Sequence, residues 1–381
     1  MNVNARSNEC VLITGASGLV GGDVLRLLQM HSQPGDRFTA LVRRPDWEPP
    51  QPDRGCGGRV EVLRGDVTLP HLGLGEDEWS ELRASLTGIL HCAATTRFST
   101  PMEEAARVNV EGTRRVVELA EHAPRLRRFG HVSTTYVAGC RAGTIRETEL
   151  EHCAGFVNAY EWSKYEAERL IRGTDLPWSI YRLGAILGSA ETGLVRQING
   201  VYCVIRYFYQ GLVPVLAGYA DTLVDLIPDE FAAAALHRLY EDFVPGATYQ
   251  LCAGAENAVT VREFFELSSR GFACVEPRWP ERGICPPRMV DSPGYTAYEQ
   301  AARAAGDRGR ARAADALKHF VPQLLYPKAF DHTACDGALS GTDIACPPVA
   351  SYLPRVAGRY AERGPKAEIR VEGSHGCTSA V

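Results

Sequence analysis

The chain has 381 residues, of which 45% are hydrophobic and 23% charged, an ordinary composition for a globular protein. Its net charge of −5 gives no reason to expect a nucleic-acid partner. No apolar run reaches the ~18 residues of a membrane span, and the polar start, 1–9, lacks the apolar segment of a signal peptide, so we expect a cytoplasmic protein.

Strands and helices alternate in the first half of the chain. The predicted strands are short, nearly all-apolar runs at 10–13, 38–42, 60–63, 88–92, 129–133 and 178–182. The predicted helices begin at Leu19 and cover 76–86, 102–123 and 158–172. This pattern is typical of a parallel sheet covered on both faces. We therefore predict an α/β fold with a Rossmann-type, doubly wound sheet that binds a nucleotide beyond the carboxyl ends of its strands.

The second half of the chain is less regular. The predicted elements are an aromatic segment at 201–209, helices at 231–240, 260–271 and 298–320, a strand at 248–252, and a proline-rich loop at 277–294. We expect an NADP-binding domain over 1–190, to which elements near 224–252 return. A smaller, mainly helical substrate-binding region follows over 191–360, and the polar segment 361–381 is predicted to be a disordered tail.

A glycine-rich turn at 14–21, TGASGLVG, joins the first strand to the first helix. Glycines let the backbone turn tightly and approach a pyrophosphate, which binds the free N–H groups at the helix start. The spacing is one residue longer than the usual dinucleotide fingerprint, so by itself the motif fits an ordinary tight turn equally well. The predicted cofactor contacts here are Gly15, Ser17, Gly18, Leu19 and Val20.

Basic residues follow the second strand. An acidic residue at this point binds the ribose hydroxyls of NAD, whereas arginine accommodates the 2′-phosphate of NADP. Arg43 and Arg44 therefore predict NADPH as the cofactor, with solvated loop charges as the alternative. Asp66, with its neighbour Val67, follows the third strand and is expected to contact the adenine; its alternative role is that of a turn residue.

A tyrosine and a lysine four residues apart lie on the predicted helix 158–172. Residues at this spacing share one helix face, so Tyr160 and Lys164 can both point into one cleft. A free tyrosine has a pKa of about 10, and a neighbouring ammonium lowers it, which makes the phenol a usable general acid or base. A hydroxyl from the strand end 133–135 could hold a carbonyl oxygen beside the phenol.

The twelve cysteines are scattered without a Cys-x-x-Cys pair, which predicts reduced thiols and no metal site. Cys92 could in principle act as a thiol nucleophile, but its place at the end of an apolar strand disfavours that role.

From the glycine motif through at least Tyr249, the chain resembles the extended short-chain dehydrogenase/reductases, and among them the thioester-reductase and fatty acyl-CoA reductase branch. The resemblance is carried by LVRR at 41–44, HCAA at 91–94, NVEGT at 109–113, HVST at 131–134, the Tyr160/Lys164 pair and DLIP at 225–228. It implies a catalytic triad of Thr134, Tyr160 and Lys164, with Ser133 as the alternative hydroxyl.

The same resemblance implies further cofactor contacts. The backbone of Cys92, Ala93 and Ala94 is expected beside the cofactor ribose, which Lys164 also holds. Leu183 and Ala185 are expected beside the nicotinamide, although relatives usually have proline where this chain has Leu183.

The resemblance implies an NADPH-dependent reductase of a carbonyl, in the first place an acyl thioester on coenzyme A or on an acyl or peptidyl carrier protein. The product would be an aldehyde and, after a second reduction, an alcohol. The alternatives are a nucleotide-sugar epimerase or dehydratase, a hydroxysteroid-type dehydrogenase, and a non-catalytic NADP-binding regulator. Relatives form homodimers through helices that correspond to 102–123 and 158–172.

Two features of the second half have open interpretations. The aromatic residues Tyr202, Tyr207, Phe208 and Tyr209 could line an acyl pocket or form plain core. The predicted helix 298–320 carries five basic and three acidic residues, which could bind phosphates or an acidic carrier protein, or simply be solvated.

Overall fold

The computed structural model describes residues 8–49 and 57–362. The predicted tail and part of the loop at 46–58 lie outside the described residues. By its contacts the chain divides into two compact units. The first comprises the described residues up to Gly184, with Asp229–Gly254 and Lys328–Cys346. The second comprises Ala185–Pro228, Ala255–Pro327 and the described residues from Pro347 onward.

The compact units and the predicted domains differ at their borders. The sequence predicts a border at 190 and a return near 224–252, whereas the first unit ends at Gly184 and is resumed at Asp229. The segment Lys328–Cys346 also belongs to the first unit, although the sequence analysis placed it in the substrate-binding region.

The described strands are β1 (Cys10–Thr14), β2 (Arg37–Val42), β3 (Arg59–Arg64), β4 (Gly88–His91), β5 (Arg128–Thr134), β6 (Gly143–Ile145), β7 (Trp178–Leu183), β8 (Ala185–Leu187), β9 (Val215–Ala217), β10 (Leu223–Val224), β11 (Leu226–Pro228), β12 (Ala247–Leu251), β13 (Val259–Thr260), β14 (Arg288–Val290) and β15 (Lys328–Phe330).

The described helices are α1 (Leu19–Met30), α2 (Glu76–Ser85), α3 (Met102–Ala105), α4 (Gly112–Glu121), α5 (Ala159–Arg172), α6 (Gly200–Tyr209), α7 (Asp229–Glu241), α8 (Gly254–Asn257), α9 (Val261–Val275), α10 (Ser292–Ala304), α11 (Arg308–Leu317), α12 (Thr333–Leu339) and α13 (Val349–Glu362). A π-helical stretch, Ala106–Glu111, lies between α3 and α4. Short 3₁₀ turns cover Pro70–Gly73, Thr135–Ala138, Trp279–Arg282 and Val321–Leu325.

A seven-stranded sheet forms the centre of the first unit. Its strand order is β12-β7-β5-β4-β1-β2-β3, and every neighbouring pair is parallel. All five residues of β1 are buried, because a parallel sheet is covered on both faces and its strands are apolar throughout. The order changes direction between β1 and β4, and nucleotides bind at such a switch point. The predicted Rossmann-type sheet is therefore confirmed.

The second unit contains short strand pairs and a helical core. Two-stranded sheets join β8 to β11, β9 to β14 and β10 to β13, while α9 packs along α13. The Thr260 hydroxyl caps α9 by accepting a hydrogen bond from the Glu263 backbone N–H at 3.2 Å.

Two predictions for the second unit are wrong. The helix predicted at 298–320 is broken into α10 and α11, because Gly306 adopts a left-handed φ of 69° and Asp307 caps a new helix through the Arg310 N–H. The stretch 277–294 is also not a plain loop, since it contains a 3₁₀ turn and β14.

Candidate active site

The turn between β1 and α1 forms a narrow cradle. Gly15 has a φ of 70°, and a Cβ at this position would lie 2.6 Å from the backbone nitrogen of Ala93. A Cβ at Gly21 would lie 2.4 Å from the carbonyl oxygen of Gly15. Any larger residue at either position would therefore collide with backbone. The cradle leads into the start of α1, whose first turn has no acidic residue, so a pyrophosphate fits its backbone N–H groups.

The segment after β4 lies against this cradle. The Cys92 N–H donates to the Thr14 carbonyl at 3.2 Å, and the Ala93 N–H donates to the Thr14 hydroxyl at 3.2 Å. The residues predicted beside the ribose, 92–94, are thus next to Gly15. Burial raises the pKa of the Cys92 thiol to about 12, which opposes a thiolate nucleophile at neutral pH.

Two residues predicted for the adenosine side of the cofactor form an ion pair. Arg43 Nη1 lies 3.9 Å from Asp66 Oδ2, and the Arg43 side chain is 69% exposed. Asp66 also accepts a hydrogen bond from the Thr68 N–H at 2.8 Å, so it serves as a turn residue too. Val67 belongs to the hydrophobic core, which leaves its backbone as the part that could face a ligand. The Arg44 carbonyl accepts from the Arg64 guanidinium.

The three predicted catalytic residues lie in the first unit, where β5 ends beside α5. Thr134 is the last residue of β5, while Tyr160 and Lys164 lie one helical turn apart on α5. Asn158 caps this helix by accepting from the Glu161 N–H at 3.1 Å. All three are buried, with Thr134 at 4%, Tyr160 at 9% and Lys164 at 2% exposure.

The Thr134 hydroxyl donates to the Leu183 carbonyl at 3.3 Å and accepts from the Tyr136 N–H at 3.3 Å, and it lies near enough to the Tyr160 phenol to lower the pKa of that phenol in part. The alternative hydroxyl, Ser133, instead donates to a carboxylate oxygen of the buried Glu168 at 2.5 Å. The geometry therefore favours Thr134 over Ser133 as the partner of the phenol.

The pKa of Tyr160 is raised, whereas the sequence analysis predicts that Lys164 lowers it. Burial raises it to about 12, although the nearby Thr134 hydroxyl lowers it in part. The expected lowering by Lys164 fails, because the ammonium is turned toward β5 and donates to the Val132 carbonyl at 2.7 Å. Tyr160 is thus a neutral phenol at physiological pH and can donate a proton or a hydrogen bond.

Lys164 has a second close neighbour in β5. Its Nζ lies 3.0 Å from Nε2 of His131, a residue with 0% exposure. Burial lowers the pKa of Lys164 to about 8, against a favourable contribution from Glu168.

Two further residues near the phenol were not predicted as site residues. The ring of Phe98 stacks on that of Tyr160, with centroids 5.6 Å apart. Asn109, in the π-helical stretch, donates to the Ser163 hydroxyl at 2.8 Å and to the Thr95 carbonyl at 3.0 Å. It thereby ties the loop after β4 to α5. The sequence signal for Asn109 was the NVEGT phrase; Phe98 had none.

The remaining candidates lie in the second unit. Ala185 begins β8. Tyr202 and Phe208 have 0% exposure, and Phe208 packs on Phe265 with centroids 4.7 Å apart, so these two form core and do not line an acyl pocket.

The basic face predicted at 298–320 is partly neutralised within the second unit. Arg303 pairs with Asp315 at 2.7 Å, and Arg310 pairs with Asp307 at 3.5 Å.

Two kinds of element are absent from residues 8–49 and 57–362. No helix in these ranges is long and apolar enough to cross a membrane. The same ranges contain no cluster of His, Cys, Asp or Glu that could hold a metal ion.

The sequence profile of an NAD-binding family, described as male sterility protein, matches residues 13–236. Fatty acyl-CoA reductase 1 of Xenopus laevis is 32% identical over 269 residues, which cover 57% of this chain and 52% of that protein. Fatty acyl-CoA reductase wat of Drosophila melanogaster is 27% identical over 244 residues, which cover 55% of this chain and 47% of that protein. The chain thus spans about half the length of these curated relatives.

Among solved structures, the terminal R domain from the myxalamid PKS-NRPS biosynthetic pathway is similar over nearly its whole length. The TM-score is 0.75 at 25% identity, and the match covers 94% of this chain and 92% of that chain.

Proposed function

Because the chain belongs to the male sterility protein family and carries its nicotinamide-dinucleotide-binding domain, we propose that it is an NADPH-dependent thioester reductase. Its substrate would be an acyl group on coenzyme A or on a carrier protein, and its first products an aldehyde and a free thiol. The observation that carries the proposal is that Thr134, at the end of β5, and Tyr160, on α5, are both buried in the unit that also holds the glycine cradle, with the Thr134 hydroxyl near enough to influence the pKa of the phenol.

The cradle and its neighbours fit the cofactor. The N–H groups at the start of α1 would hold the pyrophosphate, Arg43 the 2′-phosphate, and Asp66 the adenine amine. The segment 92–94 and Lys164 would hold the nicotinamide ribose, and Leu183 would contact the nicotinamide. When bound, NADPH supplies the hydride that reduces the carbonyl carbon.

The protein side chains would act on the carbonyl oxygen. Tyr160 would donate a hydrogen bond to it, and Thr134 would turn its single hydroxyl proton from the Leu183 carbonyl to donate a second. Together they would stabilise the negative charge that develops as the carbonyl carbon becomes tetrahedral. Tyr160 then delivers its proton, which its raised pKa keeps in place until that moment. The resulting hemithioacetal releases the thiol and leaves the aldehyde, so that one thioester, one hydride and one proton give one aldehyde and one thiol.

Replacement of one hydroxyl tests this role. We expect Tyr160→Phe to lower kcat on an acyl-CoA by at least about a hundredfold, as is typical when a general acid is lost, and to leave the Kd of NADPH nearly unchanged. Steady-state absorbance at 340 nm gives kcat, and fluorescence titration gives Kd.

Tyr165 provides a matched control for this test. It lies on the same helix, is 6% exposed, and donates to Glu151 at 3.0 Å. Tyr165→Phe removes an equivalent hydroxyl without touching the proposed site, so kcat should stay near the wild-type value. Retention of more than a tenth of wild-type kcat by Tyr160→Phe would exclude the phenol from acid catalysis.

A further inference from the structure

His131 and Lys164 form a contact that the proposed chemistry does not use. His131 lies within β5, three residues before Thr134. Its Nε2 is 3.0 Å from the nitrogen of the Lys164 ammonium. An ammonium group only donates hydrogen bonds. The Nε2 atom must therefore present its lone pair, and the ring proton of a neutral His131 must sit on Nδ1.

That ring proton has no acceptor in the described part of the chain. Nδ1 of His131 is buried and has no hydrogen-bond partner among residues 8–49 and 57–362. An unpaired buried donor lowers stability, and an apolar side chain at this position would avoid the loss. The unpartnered Nδ1–H of His131 therefore lowers the stability of the fold. What His131 provides in return is an acceptor for the Lys164 ammonium.

The neighbouring histidine shows the contrast. The ring of His91 lies 5.2 Å from that of His131, but both of its nitrogens are bonded. Because the Thr113 hydroxyl donates to the Asn109 carbonyl at 2.6 Å, it accepts from His91 Nε2 at 3.0 Å. The Thr14 hydroxyl then donates to His91 Nδ1 at 2.7 Å. His91 is thus fixed as a neutral ring within the fold and offers nothing to Lys164.

We propose that His131 is a positioning residue that, as a neutral acceptor, holds the Lys164 ammonium at the site and keeps it protonated. The role of this contact in catalysis rests on the proposed function, because Lys164 is proposed to act by holding the cofactor ribose. The contact between His131 and Lys164 does not depend on that function.

The other charged and titratable groups around the pair come from three elements. Glu168 on α5 and Cys92 after β4 face Lys164, and burial is the largest influence on its pKa. His131 faces Lys164 and His91, and burial together with both of these holds its pKa well below the ordinary value. His131 therefore stays neutral at physiological pH and can act as an acceptor there.

The chain offers an unusually direct test, because its only lysines are Lys164, Lys318, Lys328 and Lys366. With lysine labelled by ¹³C, NMR follows each ammonium through its titration in the protein without added cofactor. Lys164→Arg identifies the Lys164 signal, which matters because burial also lowers the pKa of Lys328 to about 8.

We expect His131→Leu to lower the pKa of Lys164 by about one unit, the shift that the loss of one charge-assisted hydrogen bond produces. His131→Gln keeps an acceptor at the position of Nε2, and should restore the wild-type titration. His237→Leu is the matched control, since His237 is another poorly exposed histidine with an unpartnered Nε2, and it should leave Lys164 unchanged.

A measurement on the wild-type chain covers the case in which His131→Leu does not fold. In ¹⁵N-histidine spectra, His131 should be neutral at pH 7, with its proton on Nδ1 and an accepting Nε2. A proton on Nε2, or an unchanged Lys164 pKa in folded His131→Leu, would overturn the proposal. These titrations need neither cofactor nor substrate, so a failure of thioester reduction would leave their outcome readable.

Discussion

Burial governs the titratable residues around the phenol. It raises the pKa of Tyr160 to about 12, lowers that of Lys164 to about 8 and lowers that of His91 to about 3. Each group is thereby held toward its neutral form. A neutral phenol suits a reductase, because reduction of a carbonyl requires a proton donor at the oxygen.

We attribute the proposed preference for NADPH over NADH to Arg43, and its replacement tests that role. Arg43→Ala should weaken NADPH by roughly ten- to a hundredfold, the loss expected for one hydrogen bond to a charged group, and should weaken NADH much less. Only NADPH carries the 2′-phosphate that the guanidinium would contact. Titration of both cofactors into both proteins measures the difference.

Arg59→Ala is the matched control for Arg43→Ala. The Arg59 side chain is 78% exposed, and its Nε lies 3.5 Å from Glu61 Oε1. Arg59 begins β3, so it is at the opposite end of that strand from Asp66. It should change neither affinity. Equal weakening of NADPH and NADH by Arg43→Ala would remove the residue from phosphate recognition.

At the residue scale, sequence reasoning works where spacing fixes geometry. Tyr160 and Lys164 lie on one face of α5 because they are one helical turn apart. His131 could not be found in this way, because its contact with Lys164 joins two elements 33 residues apart. The predicted effect of Lys164 on Tyr160 failed for a related reason: the direction of a flexible side chain does not follow from spacing.

At the scale of elements, a buried ion pair fixes α5 against the sheet. Arg182 on β7 donates to Glu168 on α5 at 2.7 Å, and the two side chains are 1% and 0% exposed. Ser133 on β5 donates to the same carboxylate. The helix that carries Tyr160 and Lys164 is thereby tied to the two strands beneath it.

Glu168→Gln should destabilise the fold by about 3–5 kcal/mol, because it leaves the Arg182 charge buried without its counter-ion. Urea unfolding of the purified variant measures this loss.

Glu166→Gln is the corresponding surface change on the same helix. Glu166 pairs with Arg169 at 3.3 Å, and because solvent screens this pair, its loss should leave the free energy of unfolding nearly unchanged. If Glu168→Gln were no more destabilising than Glu166→Gln, the buried pair would not be what holds α5 in place.

The elements of the sheet were predictable because apolar runs and turn signals alternate clearly in the first half. The break between α10 and α11 was missed because Gly306 stands inside a run of good helix formers. The return of Lys328–Cys346 to the first unit was missed for another reason. The contacts that hold the segment include the pairing of β15 with β6 and Glu147, a buried carboxylate that accepts from the Ala334 N–H at 2.6 Å. Such tertiary contacts leave no periodic signal.

At the scale of the whole molecule, the chain combines a nicotinamide-binding sheet with a second unit built from discontinuous segments. The family and the fold show a nicotinamide-dinucleotide-binding domain, but the same fold also serves the nucleotide-sugar chemistry that the sequence left as an alternative. The distinction is a matter of net chemistry, since an epimerase returns its hydride whereas a reductase consumes it.

The ratio of NADPH oxidised to thiol released therefore distinguishes a thioester reductase from an epimerase. The purified protein is mixed with NADPH and a panel of acyl-CoA and acyl-carrier thioesters, and absorbance at 340 nm is followed together with free thiol. We predict one NADPH oxidised for each thiol released, or two where the aldehyde is reduced on to alcohol. NADPH oxidation by aldehydes or ketones with every thioester inert, or conversion of a nucleotide sugar without net NADPH loss, would contradict the account.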